Sequence, residues 1–177
     1  MPHLTYVYFE DENNHKCHTV STGAFKLSKI DSNGQANTIL QGVFLPPAIK
    51  TIGDYAFYQC INLETVSLND NITTIGKHAF SGYSSGELNI SRMKVKLNQL
   101  PKNLTTLGEF GFYGCELIEI SELPDNITSI ESQTFVFCDK LKINNLNNVE
   151  KIGMMGFYGS AREVTELTFP KVKSIGA

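Results

Sequence analysis

Few places in this sequence offer chemistry. His15, Cys17 and His18 lie within four residues and present two imidazoles and a thiol, groups that a zinc ion would accept. Zinc usually takes four protein ligands, and the chain has neither a paired C-x-x-C nor a suitably spaced histidine partner, so no metal is assigned. The other cysteines, Cys60, Cys115 and Cys138, each follow a phenylalanine (Phe57, Phe112, Phe135) by three residues. Tyr83 and Ser160 hold the equivalent places. That regularity reads as one recurring position filled by a small buried hydrophobe. Disulfides between neighbouring copies are disfavoured, because a bridge needs short Cβ separations. There is no G-x-S-x-G, phosphate loop or H-E-x-x-H, and the acidic residues are scattered. Nothing points to an enzyme or to a cofactor.

Charge excludes a further class. With a net charge of −3 and a pI near 5.8, the chain lacks the basic stripe that phosphate backbones require. Arg92, Lys94, Lys96 and Lys102 are a local basic exception, too few and too short of neighbouring aromatics for nucleic acid. No run approaches the roughly 18 apolar residues of a membrane helix, and Met1–Thr5 has no signal-peptide pattern. At 41% hydrophobic and 19% charged residues, the composition is that of a folded chain.

The elements that position these residues come from an internal repeat. Ile52-Gly53-Asp54-Tyr55-Ala56-Phe57 recurs as Ile75-Gly76-Lys77-His78-Ala79-Phe80, Leu107-Gly108-Glu109-Phe110-Gly111-Phe112, Ile130-Glu131-Ser132-Gln133-Thr134-Phe135 and Ile152-Gly153-Met154-Met155-Gly156-Phe157. Ile175-Gly176-Ala177 begins another. The steps are 23, 32, 23, 22 and 23 residues, so one unit carries a nine-residue insertion and one has lost a residue. A second landmark keeps phase: Leu45-Pro46-Pro47-Ala48-Ile49, Leu68-Asn69-Asp70-Asn71-Ile72, Leu100-Pro101-Lys102-Asn103-Leu104, Leu123-Pro124-Asp125-Asn126-Ile127, the shortened Leu146-Asn147-Asn148-Val149, and Phe169-Pro170-Lys171-Val172.

Within a unit, Val66-Ser67-Leu68, Leu141-Lys142-Ile143 and Leu167-Thr168-Phe169 alternate like half-buried strands. The Pro/Asn/Asp group then turns the chain. Ile72-Thr73-Thr74-Ile75 reads as a second, short extended piece. The glycine after it permits an unusual backbone conformation, a demand that Glu131 shows is not absolute. The Ala-Phe segment forms a turn or helical turn whose phenylalanine points inward, giving an aromatic spine. No unit buries its apolar face alone, so stability is shared between neighbours.

The phase-locked pattern L-x-L-P-x-x-L-x-x-I-G-x-x-A-F-x-x-C resembles the BspA-like class of leucine-rich repeats over residues 43–177. The resemblance implies a leucine-rich-repeat right-handed solenoid, β-rich, with a parallel sheet on one face and short turns or helical turns on the other. It also implies a cell-surface or secreted protein with an adhesion or recognition role, whose partner is a protein or glycan, the extracellular matrix included. It transfers no catalytic residues. The alternative is a structural spacer within a larger surface protein. Residues 1–42 are expected to cap the array: Thr5–Phe9 reads as a closing strand, Val20–Phe25 as a degenerate repeat, and Ser28–Asn37 as a turn or hairpin. The array stops in mid-repeat without a polar cap, so a fragment, or self-association through that end, is expected.

The middle residues of the strand triplets, Phe44, Ser67, Lys96, Glu119, Lys142 and Thr168, are expected to form one outward column, beside Thr65, Lys94, Leu117, Lys140 and Glu166. Lys96, Glu119 and Lys142 alternate in sign, which suits cross-strand pairing. The functional reading of this face is a binding surface made of Thr65, Ser67, Lys94, Lys96, Glu119, Lys140, Lys142 and Glu166. The inserted segment Ser84–Lys94 is a second candidate, since solenoid insertions become surface loops. The sequons at Asn71, Asn89, Asn103 and Asn126 are read as by-products of the repeat, three of them sharing one phase.

Overall fold

The computed structural model of the chain describes residues 4–9, 16–26, 39–82 and 92–176. The expected hairpin at 28–37, most of the insertion, His15 and Asn89 lie outside them. The described residues contain ten short strands and no helix: β1 (Tyr6–Tyr8), β2 (Thr19–Val20), β3 (Gly42–Phe44), β4 (Thr51–Ile52), β5 (Thr65–Val66), β6 (Thr74–Ile75), β7 (Thr106–Leu107), β8 (Ser129–Ile130), β9 (Lys151–Ile152) and β10 (Ser174–Ile175). All pairings are parallel, in the orders β1-β3-β5, β2-β4-β6-β7 and β10-β9-β8.

The strand ladder runs mainly along the Thr-Ile position, contrary to the expectation that the alternating triplets would carry the sheet. Of the triplets, β3 and β5 reach into Val43-Phe44-Leu45 and Val66-Ser67-Leu68. Later ones bond one turn back at separate points, as where the Glu119 N–H donates to the Leu97 carbonyl at 2.7 Å and that of Lys142 to Ile120 at 2.9 Å. A third set of inter-turn bonds links the Ala-Phe segments forward: the N–H groups of Phe57, Phe80 and Phe112 donate to Ala79, Gly111 and Thr134 at 2.8–3.0 Å.

The repeat glycines have a different purpose from the one expected. Among the described residues, Gly53, Gly76, Gly108, Gly153 and Gly176 are not at positive φ. A Cβ on Gly108 would lie 2.5 Å from the backbone nitrogen of Lys77, and one on Gly153 would lie 2.6 Å from that of Ser132. The demand is close approach of one turn to the previous one. Glu131, which has a Cβ, follows β8, and between β7 and β8 the ladder is broken into separate sheets. Positive φ falls instead two residues later, on Tyr55, His78, Phe110, Gln133 and Met155, at 52–56°.

The core is a stack. Phe25, Phe57, Phe80, Phe112, Phe135 and Phe157 lie face to face with centroids 5.1–5.8 Å apart, flanked by rows of buried Ile, Leu and Val. The offset stacking adds to the burial of four rings that are fully enclosed. Residues 4–9 and 16–26 join this array: β1 pairs with β3, β2 with β4, and Phe25 covers Phe57.

Candidate functional site

The middle residues of the alternating triplets and the column beside them share one outward face. Thr65, Lys94, Lys96, Lys140, Lys142 and Glu166 are exposed, and Ser67 and Glu119 are half-buried. The ammonium of Lys142 meets the Glu119 carboxylate at 2.6 Å. A hydrogen bond and the opposite charge hold Glu119 below its ordinary range and raise Lys142 above its own. Lys96 does not join that series. It reaches back to Glu64 at 3.4 Å, because Glu64 lies on the turn directly preceding it, and Lys94 bonds Asn62 at 3.0 Å for the same reason. Ser67 is committed structurally: its hydroxyl oxygen accepts the Leu45 N–H at 2.6 Å.

Three grooves open along this face. One of about 300 Å³ is lined by Lys96, Leu97, Asn98, Leu117 and Glu119. A second, of about 420 Å³, is lined by Lys142, Asn144, Glu163, Val164, Thr165 and Glu166. The third, of about 400 Å³, lies between Ser121–Ile127 and Lys142–Val149. The structure thus gathers Lys96, Glu119, Lys142 and Glu166 around grooves, while Thr65, Ser67, Lys94 and Lys140 line none of the three. The residue types missed from sequence are the amides Asn144, Asn145, Asn147 and Asn148. The signal for them was present in the asparagine-rich, shortened repeat.

The cysteine position has a defined role. The thiols of Cys60, Cys115 and Cys138 each donate at 3.1 Å to the carbonyl of the spine phenylalanine one turn earlier, Phe25, Phe80 and Phe112. Ser160 makes the same bond to Phe135. All are free thiols, and burial pushes Cys60 up to about 12 and raises Cys115 and Cys138 well above the usual range. At the other end, Cys17 donates to the Thr19 carbonyl at 3.4 Å and the His18 ring contacts the Ala48 carbonyl at 3.0 Å. The sequon amides are used between turns: Asn71 donates to the Pro47 carbonyl at 3.0 Å and Asn103 to Asp70 at 2.8 Å.

A second aromatic row, unseen in the sequence, follows the residues at positive φ. His78 is stacked between Tyr55 and Phe110 at 4.9 and 4.3 Å. Its ring faces are thus occupied, and Lys26 sits 4.9 Å over Tyr55. The row consumes its own faces in stacking and offers little to a ligand. Burial first, then the Lys77 charge, lowers His78 to about 4.

Among the described residues no helix is long and apolar enough to cross a membrane. No curated protein matches the chain. A crystal structure of a leucine-rich repeat protein from Bacteroides ovatus is similar, with a TM-score of 0.51 at 18% identity over 99% of this chain. The chain spans 54% of that protein, and at this identity the likeness shows the fold alone. The profile of the BspA type leucine-rich repeat region matches residues 28–98 and 93–177, in six copies. With both landmarks, the inward phenylalanines and that match in agreement, the chain belongs to the BspA-type leucine-rich-repeat family.

Proposed function

We propose that this chain is a recognition module of a cell-surface or secreted protein, binding a protein or glycan through the outward face of its strand triplets in adhesion or cell recognition. The observation that carries the reading is the run of three grooves lined by Lys96, Glu119, Lys142 and Glu166. Ligand sites are concave, and a few convergent polar or charged groups fix the ligand's orientation in them. The test replaces Lys94, Lys96, Lys140 and Lys142 together by glutamate and measures capture on immobilised matrix proteins and glycans. Loss of capture by a folded variant supports the face; unchanged capture removes it.

The spacer reading has its own observation, since charges on this array are satisfied from turn to turn. Lys77–Glu109 and Lys173–Glu150, each at 2.8 Å, repeat the Lys142–Glu119 pattern. A well-folded chain that captures nothing in the same screen favours the spacer. The last turns also expose the apolar side chains of Met154, Met155, Tyr158, Phe169 and Ile175, which supports self-association through that end. Sedimentation at rising concentration tests this, with Met155→Lys and Ile175→Lys expected to keep the chain monomeric.

A further inference from the structure

The groove between Ser121–Ile127 and Lys142–Val149 lies where the repeat step is one residue short. In earlier repeats the polar segment after the strand is stitched to the turn before it, by Asn71 on Pro47, by Asn103 on Asp70, and by the Lys102 N–H on the Asp70 carboxylate at 3.1 Å. The step from Ile130 to Ile152 is the 22-residue one, and its landmark Leu146-Asn147-Asn148-Val149 is one residue shorter than Leu123–Ile127. The turn itself closes over four residues as in the other repeats, with the Val149 N–H on the Leu146 carbonyl at 3.2 Å where Ile127 bonds Pro124 at 2.9 Å, so the lost residue lies before Leu146. Among the described residues, no backbone hydrogen bond crosses from 121–127 to 143–149, as none crosses from 98–104 to 121–127. As in the earlier repeats, a side-chain link joins the two segments, here from Asn148 to the Asp125 carboxylate at 3.1 Å. A cavity of about 400 Å³ opens there, within the size range of small-ligand sites.

Its lining selects a ligand class. The amides of Asn144, Asn145 and Asn147 are exposed and offer donors and acceptors together. Glu122 and Asp125 add acceptors. Leu123 and Pro124, both partly exposed, supply an apolar wall. Vicinal hydroxyls, each both donor and acceptor, fit such a set, and the C–H face of a sugar ring fits the wall. The neighbouring cations are engaged, Lys142 by Glu119 at 2.6 Å and Lys171 by the Asn148 oxygen at 2.8 Å. The remaining charge on the lining is acidic, which disfavours sulfated or sialylated chains. A peptide adding as a strand would need a free strand edge. Here the Lys142 N–H is spent on Ile120, and Asn144 and Leu146 bond Thr168 at 2.9 and 2.8 Å.

We propose that this groove is a subsite for a neutral saccharide, held by Asn144, Asn147, Glu122 and Asp125 against Leu123 and Pro124. The proposal rests on the recognition reading above and names the ligand class of that face. The test is amide chemical-shift mapping of the whole chain with cellotriose, maltotriose and chitotriose, and with a heparin pentasaccharide as the anionic counterpart. At least one neutral trisaccharide is expected to shift residues 121–127 and 143–149, while heparin does not. The double substitution Asn144→Ala/Asn147→Ala should weaken that binding at least tenfold with an unchanged melting temperature. If that variant misfolds, the isosteric pair Asn144→Asp/Asn147→Asp should give the same loss. The proposal is overturned by shifts that survive substitution, by shifts confined elsewhere, by a preference for heparin, or by silence from all three neutral sugars at millimolar concentration. If the sugars are silent while capture of matrix proteins still depends on the four lysines, the saccharide assignment alone falls. If capture is silent too, both readings fall.

Discussion

The thiol of Cys115 donates to the carbonyl of Phe80, one turn earlier, at 3.1 Å. The same bond joins Cys138 to Phe112 and Cys60 to Phe25. A position that reads as merely small and apolar is therefore a donor position, which is why Ser160 is accepted there. Cys115→Ala strips a buried carbonyl of this donor and should cost about 1–3 kcal/mol in chemical denaturation. Cys115→Ser, which keeps a donor, should cost less. A thiol reagent applied to the native chain should modify exposed Cys17 quickly and the three buried thiols only on unfolding.

Glycine after the Thr-Ile strand answers to the neighbouring turn. Gly108→Ala and Gly153→Ala push a Cβ to 2.5 and 2.6 Å from backbone nitrogens, and each should destabilise by about 1–3 kcal/mol. Glu131→Ala adds no new Cβ at the same repeat position and should stay within about 0.5 kcal/mol. Equal losses at all three sites would show that the break between β7 and β8 has another cause.

The phenylalanine spine should be weakest at its ends. Phe112 is fully buried between Phe80 and Phe135, so Phe112→Ala should cost about 3–5 kcal/mol. Phe25 and Phe157 are only partly buried. Their alanine variants should cost less, as a nearest-neighbour array requires. Thermal and urea midpoints compare them directly.

His78 gives the array a pH dependence of known sign. Its folded pKa is lowered to about 4, below the ordinary histidine value. The unfolded chain therefore binds more protons across that window, and stability falls as pH drops from about 6.5 toward 4. Glu109 and Glu119, held low by Lys77 and Lys142, add losses in the carboxylate range below it. His78→Phe, which keeps the stack between Tyr55 and Phe110, should flatten the profile between pH 6.5 and 5. An unchanged slope there would assign the titration to another group.

The repeat phase, its unequal steps and the inward phenylalanines were legible from residue types alone, because each unit must bury the same apolar positions against its neighbours. The outward placement of Lys96, Glu119 and Lys142 followed from the same alternation. Their partners did not: Lys96 pairs with Glu64 because the 32-residue step leaves those two side chains on adjacent turns. Nor could the sequence show that the Thr-Ile position would carry two ladders, broken between β7 and β8, while most triplets touched only at points.

What the sequence determined, then, is the content of each turn. What the tertiary structure decided is the spacing between turns: the close approach at Gly108, the break at Glu131, and the groove between Ser121–Ile127 and Lys142–Val149. Spacing of that kind depends on two turns at once, on whether a Cβ or a missing residue in one meets the backbone of the other. No single unit carries that information.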